Sequence, residues 1–314
     1  MVRSNTVKPI VKLKFNILPD VEDIALFLSA GDQKSKNDEY NKIRENVLTN
    51  IFNIDDEYLN HPQYGDSWID IKDKFTASMT TLCSEPFEKM SIKHMGGMSK
   101  NHDFDITFHD NKNIIKTEKL EFKHNNSNVY DLVQFLELYD KDCKHKYNVC
   151  SVSYSEYYYD NGIDKYLITD DELILPKPTK EDYLKHVYDI KYKYPFFKHL
   201  HDKKNNKTKE KKEIANESVK KYIEEFHSTF NFEKITEKII ESQKDKVFLL
   251  WDCKNFHIQK LEVSNIKINK IKKVDNLYFD VIVDNFSHDI RVRLNWGNSN
   301  GLCNPRWKFS FIDK

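Results

Sequence analysis

The chain has 314 residues, in which 50 Lys and Arg balance 50 Asp and Glu, so its formal net charge at neutral pH is zero. That balance excludes a uniformly basic, histone-like binder and leaves any affinity for nucleic acid to local patches. With 39% hydrophobic and 13% aromatic residues the composition is polar yet globular, and Tyr and Phe are expected to carry much of the core.

The five cysteines, at 83, 143, 150, 253 and 303, are odd in number and form no CxxC pair, which fits a reducing compartment without structural disulfides. Cys143, His145 and Cys150 match no standard zinc ligand set. Lys8, Pro9, Lys12 and Lys14 interrupt any N-terminal apolar run, and no stretch approaches a membrane span. The expectation is a soluble intracellular protein, cytoplasmic or nuclear, or a viral protein inside its host cell, with no membrane partner.

In chain order, residues 7–18 alternate like a strand, and residues 20–30 read as a short helix opened by Asp20. Residues 31–38 follow as a loop. Helical spacing predicts a helix from Glu39 to Phe52, with Ile43, Val47, Leu48 and Ile51 on one face. A second runs from Asp66 or Ser67 to about Cys83 through Trp68, Ile71, Phe75, Met79 and Leu82, and Pro86 ends or kinks it. Glycine is scarce, at seven residues, yet Gly96 and Gly97 are adjacent and Gly297 and Gly301 frame a second turn, marking places where the backbone turns tightly or is closely approached.

Residues 103–108 then alternate acid and apolar, with Asp103, Asp105 and Thr107 on one face and Phe104, Ile106 and Phe108 on the other. Residues 119–124 alternate the same way, Glu121 and Lys123 opposing Leu120 and Phe122. The polar HDNKN stretch between them carries turn chemistry, so a hairpin is expected to gather two or three carboxylates and one ammonium on one sheet surface. One or two carboxylates with open positions suit magnesium, and a neighbouring lysine can orient or help deprotonate water. That is phosphodiester hydrolysis chemistry.

At these residues the sequence resembles the PD-(D/E)xK nuclease superfamily, in which an Asp on one strand is followed by acid-x-Lys on the next. Glu121-Phe122-Lys123 fills the second half and Asp103 or Asp105 the first, although no proline precedes either aspartate. The resemblance covers roughly residues 96–135. It implies an α/β (α+β) restriction-endonuclease-like fold, a mixed central sheet flanked by helices, here with a helical insertion and a β-rich C-terminal part. It further implies a Mg2+- or Mn2+-dependent nuclease, DNA ahead of RNA, with Asp103 or Asp105, Glu121 and the Phe122 carbonyl as metal ligands and Lys123 placing the water. A further acid from a preceding helix is commonly supplied in such folds, and Glu45 and Glu85 are the positional candidates.

Acid-x-Lys alone is uninformative here, since Asp32, Asp70, Asp110, Asp142, Asp189, Asp202, Glu210 and Asp252 also begin one. Only Asp252-Cys253-Lys254, ending an apolar strand-like run, rivals Glu121, and the helical pattern before it offers no partner strand. A non-catalytic nucleic-acid-binding protein and an RNA endonuclease on the same fold remain the alternatives.

After the hairpin, Val129, Leu132, Val133, Leu136 and Tyr139 predict an amphipathic helix carrying Gln134, a possible supporting residue for the site. The tyrosine cluster at 154, 157, 158, 159 and 166 is expected to enter the core rather than stack on bases. Eleven lysines between Lys191 and Lys221 form the best basic patch for a phosphate backbone. Six strand-like runs follow, which either complete the nuclease sheet or form a recognition module whose anion-facing residues are Arg291, Arg293 and Arg306. The expected organisation is a core at 1–175, a Lys-rich helical segment at 176–245 and a β-rich segment at 246–314, with homodimerisation open.

Overall fold

A computed structural model describes residues 17–29, 37–96, 101–111, 113–168, 177–188, 209–296 and 305–314. Residues 7–16 of the strand expected over 7–18, residues 31–36 of the loop expected over 31–38, Gly97, the lysines at 191–208 and the glycines at 297 and 301 lie outside the described residues, while residues 17–18 are not strand and 37–38 begin a helix.

The helices are α1 (Asp23–Leu28), α2 (Asn37–Asn50), α3 (Asp56–Leu59), α4 (Gly65–Thr80), α5 (Asp140–His145), α6 (Tyr154–Asn161), α7 (Ile163–Ile168), α8 (Lys180–Tyr188), α9 (Lys209–Phe226) and α10 (Phe232–Gln243). The strands are β1 (Lys89–His94), β2 (Phe104–Asp110), β3 (Asn113–His124), β4 (Leu136–Tyr139), β5 (Lys246–Trp251), β6 (Phe256–Lys260), β7 (Lys267–Val274), β8 (Tyr278–Asp284), β9 (His288–Trp296) and β10 (Pro305–Asp313). The chain is thus mixed α and β, with two mostly antiparallel sheets. No helix among the described residues is long and apolar enough to cross a membrane.

The chain forms two compact units, each discontinuous: residues 1–129 with 245–261, and residues 130–244 with 262–314. The consecutive partition expected at 175/176 and 245/246 differs from this interleaving. The reason is strand pairing between segments far apart in sequence.

In the first unit the sheet order is β1-β2-β3-β5-β6. β1, β2 and β3 make an antiparallel meander, β5 runs parallel to β3, and β6 returns antiparallel. Alternation puts Phe104, Ile106, Phe108, Leu120 and Phe122 in one apolar cluster with Val247, Leu249 and Trp251 of β5, and residues from α1 to α4 complete it. Each such side chain contributes about 1.5–3 kcal/mol on burial. β5 is buried along its whole length, so both of its faces are covered, which fits its unbroken VFLLW run.

Polar tips in this core are satisfied locally. Trp68 Nε1–H donates to the Val21 carbonyl at 2.8 Å, and the buried Tyr58 hydroxyl donates to the Pro19 carbonyl at 2.6 Å. Tyr58→Phe keeps the ring and loses that bond, so chemical denaturation should show a loss of about 1 kcal/mol with an unchanged m-value.

The second unit carries the antiparallel sheet β4-β10-β9-β8-β7. Asp140 is fully buried and receives the Tyr154 and Ser155 backbone N–H groups at 3.0 and 2.9 Å and the Trp307 indole N–H at 3.2 Å, which ties α6 to β10. Tyr154, Tyr157 and Tyr158 lie in the core, against one another and Tyr222.

Of the helix expected over 129–142, only residues 140–142 are helical, as the start of α5. Residues 129–131 make a single 3-10 turn and Leu136–Tyr139 form β4, paired with β10 in the register Leu138 to Trp307. Of the expected inward face only Val129 and Leu132 are buried, Val133 is 91% exposed, and Phe135 and Leu138 are buried instead, because the open edge of β10 supplies backbone partners and tertiary pairing decides the conformation.

Candidate active site

The β2–β3 hairpin turns at Asn111, whose φ of 53° is in the left-handed region that Asn tolerates. Its register pairs Phe104 with Leu120 and Asp105 with Lys119, so Asp103 stands beside Glu121 and Asp105 two residues further down the strand. The Asp103 backbone is fixed on both sides: its N–H donates to the Leu120 carbonyl at 2.8 Å, and its carbonyl accepts from Met95 N–H at 2.7 Å. Its Oδ2 accepts the Phe122 N–H at 2.9 Å.

Lys123 Nζ donates to Glu121 Oε1 at 2.5 Å. Parallel pairing brings Lys246 of β5 to the other oxygen, Oε2, at 3.5 Å. Glu45 arrives from α2 and meets His94 Nε2, at the end of β1, at 2.9 Å. A Cβ on Gly96 would fall 2.6 Å from the His94 ring and 3.7 Å from Glu45 Oε2, so the absence of a side chain there is what lets the backbone pass this pair.

Three carboxylates therefore share one locality with two ammonium groups, and their protonation follows. Burial, reinforced by Glu121 and Glu45 and opposed by Lys123, pushes the Asp103 carboxyl up to about 7. Burial also opposes ionisation of Glu121, but Lys123 and Lys246 outweigh it and hold Glu121 below the usual carboxylate range. Lys123 is raised because Glu121 and Asp103 overcome its burial, whereas burial and Lys123 hold Lys246 down. Glu121 and Lys123 are thus charged at neutral pH, and Asp103 is poised between its two forms.

Asp105 is turned to another partner, with Oδ1 2.8 Å from Nε2 of the buried His102. Gln134 donates to Glu137 at 2.7 Å in the second unit. Glu85 is exposed beyond α4. The rival Asp252 closes a turn: burial works against its charge, but hydrogen bonds from His257 and the Asn255 and Lys254 N–H groups hold it at about 2. Cys143 and Cys150 are buried, which pushes both thiols up and keeps them protonated.

His94 and Lys246 were not among the residues expected from sequence. The only trace of His94 was its place before the Gly96–Gly97 pair, and Lys246 needed the β3–β5 register to be found.

Among the described residues no three His, Cys, Asp or Glu side chains are gathered as a metal-holding group. Magnesium is held by one or two carboxylates with other oxygens. Burial together with the neighbouring acids Glu121 and Glu45 raises Asp103, a chemical environment a hard cation would relieve.

What fold and site define together is a mixed α/β protein with a carboxylate–lysine cluster on one sheet. Compared with protein-family models, with curated proteins and with solved structures, the chain has no match.

Proposed function

We propose that this chain is a metal-dependent nuclease of the PD-(D/E)xK kind, built on a restriction-endonuclease-like core and hydrolysing phosphodiester bonds, in DNA ahead of RNA. The observation that carries the reading is the hairpin register: it sets Asp103 beside Glu121, with Lys123 on the same face and Glu45 within electrostatic reach of Asp103. The meander continued by a strand parallel to its last member supports a mixed nuclease-like sheet.

In this reading Asp103 and Glu121, with the Phe122 carbonyl that the resemblance implies, hold Mg2+ or Mn2+, and Asp105, engaged by His102, does not. When bound, the metal acidifies water and offsets charge on the phosphorane-like transition state. The chain's own residues do the rest. Lys123, protonated beside Glu121, fixes a water or a phosphate oxygen by donating to it rather than by taking its proton. The Phe122 N–H holds the Asp103 carboxylate in one orientation, and His94 does the same for Glu45.

A second reading has one observation in its favour. Both Glu121 oxygens already face lysines, as in a purely structural ion-pair network, and a non-catalytic nucleic-acid-binding protein would look the same there. Cleavage separates the two. Wild type and Glu121→Ala are compared on single- and double-stranded, linear and circular DNA and RNA with Mg2+ or Mn2+. Cutting that needs metal and falls at least about a hundredfold in the variant is expected. Cutting unchanged in Glu121→Ala removes the site, and no cutting by wild type, with binding indifferent to EDTA, favours the second reading.

A further inference from the structure

The second unit has an open cleft of about 510 Å3 on one face of its sheet. Its floor includes Arg291 and Arg293 of β9 and Lys308 and Ser310 of β10, and the stacked rings of Tyr130 and His288, 4.3 Å apart, lie at one end. Register places Arg293 directly opposite Lys308 and Arg291 opposite Ser310.

Like charges directly opposite one another on a sheet repel. Here the relief is partial: among the described residues Arg293 has no ion-pair partner, while Lys308 shares Glu137, at 3.6 Å, with Arg306. Arg291 is held rigidly, gripped by both oxygens of Asp280 at 2.8 and 3.0 Å with its guanidinium 3.8 Å from the Tyr278 ring centre. The acids that line the cleft, Asp131 and Asp313, are exposed. A cation row in which Arg291 is fixed by Asp280, Lys308 shares one acid and Arg293 has no ion-pair partner among the described residues is complementary to an anion.

The spacing narrows the class of anion. Arg291 and Arg293 are two residues apart on one strand face, so they repeat at about 7 Å along β9, with Lys308 beside them on β10. A row of this kind suits successive phosphates along an extended strand better than one compact anion. The adjoining aromatic stack offers a base a surface to continue.

We propose that this cleft binds single-stranded nucleic acid, with backbone phosphates on Arg291, Arg293 and Lys308 and a base against the Tyr130–His288 stack. The assignment stands whether or not the first unit cuts.

The test is fluorescence anisotropy of a labelled single-stranded oligothymidine with the full chain, in EDTA, at several salt concentrations. Arg293→Glu and Lys308→Glu should each weaken binding at least tenfold, and Arg293→Ala severalfold with a salt slope shallower by about one. Arg293 is exposed, so its variants should melt as wild type does. Binding read in EDTA, where metal-dependent cleavage is off, separates this cleft from the cleavage reading. Wild-type affinity in both charge reversals overturns the proposal. So does displacement by duplex DNA or polyglutamate as effective as that by unlabelled single strand.

Discussion

Lys123→Met is expected to lower metal-dependent cleavage at least about a hundredfold while leaving the circular dichroism spectrum unchanged. The Lys123 ammonium contacts Glu121 at 2.5 Å, whereas among the described residues the other cation at that carboxylate, Lys246, stands at 3.5 Å. The lysine also lowers Asp103, so its removal leaves Asp103 facing Glu121 and Glu45 without a screen and favours its protonated form. Two losses coincide: the donor that places the reacting oxygen, and the ionised state of a ligand. Met preserves most of the stem, which matters because the side chain is one-third exposed and the rest packs along the sheet. Single-turnover rates measured from pH 6 to 9 check this. If only the donor is lost, the rate falls equally at every pH; loss of Asp103 ionisation as well makes the deficit largest at low pH. Activity within a few-fold of wild type throughout would remove Lys123 from the site.

The second large effect is on stability. Asp103 ionises at about 7 in the folded chain against an ordinary 3.8, so the fold binds its proton more tightly than the unfolded chain does. Such a group contributes stability in full below about pH 4, and that contribution is lost as pH rises through 7. That difference corresponds to about 4 kcal/mol as an upper bound, and local relaxation around the charge brings the expected effect to about 2 kcal/mol. Asp103→Asn removes the charge and keeps an oxygen for the Phe122 N–H. In EDTA at pH 8.5 the variant should therefore melt several degrees above wild type, and at pH 4.5 the two should coincide. Mg2+ should raise the melting temperature of wild type at pH 8.5 and leave Asp103→Asn unmoved. A variant less stable than wild type at pH 8.5 would mean that the ionised carboxylate is well satisfied in the cluster as it stands.

Much of the hairpin was legible because alternation is local: one period-two pattern set Phe104, Ile106, Leu120 and Phe122 inward and the charges outward. The same period put Asp103 and Asp105 on one face and could not separate them, and only cross-strand register does, with Glu121 beside one and Lys119 beside the other. Glu45 and Glu85 were equivalent by position because neither the rotation of α2 about its axis nor the end of α4, which stops at Thr80 before Glu85, is set by local pattern. Lys246 enters the site through pairing of strands whose sequences are remote. The six C-terminal runs are all strands, but β5 and β6 join the first sheet and the other four the second, so they divide between two sheets rather than acting as one block. β4 was misread as helix because its edge partner, β10, comes nearly at the end of the chain.

The parallel neighbour of β3 has a consequence during synthesis. β5 follows β3 by well over a hundred residues, so a growing chain can form the β1–β2–β3 meander long before β5 leaves the ribosome. In that interval β3 is an exposed edge, the situation in which strands recruit foreign partners. Lys116, Glu118, Lys119, Glu121 and Lys123 punctuate it with charge along nearly its whole length. The side chains proposed to hold metal and water in the finished molecule would thus serve earlier as guards, keeping a nascent edge from aggregating until its proper neighbour arrives.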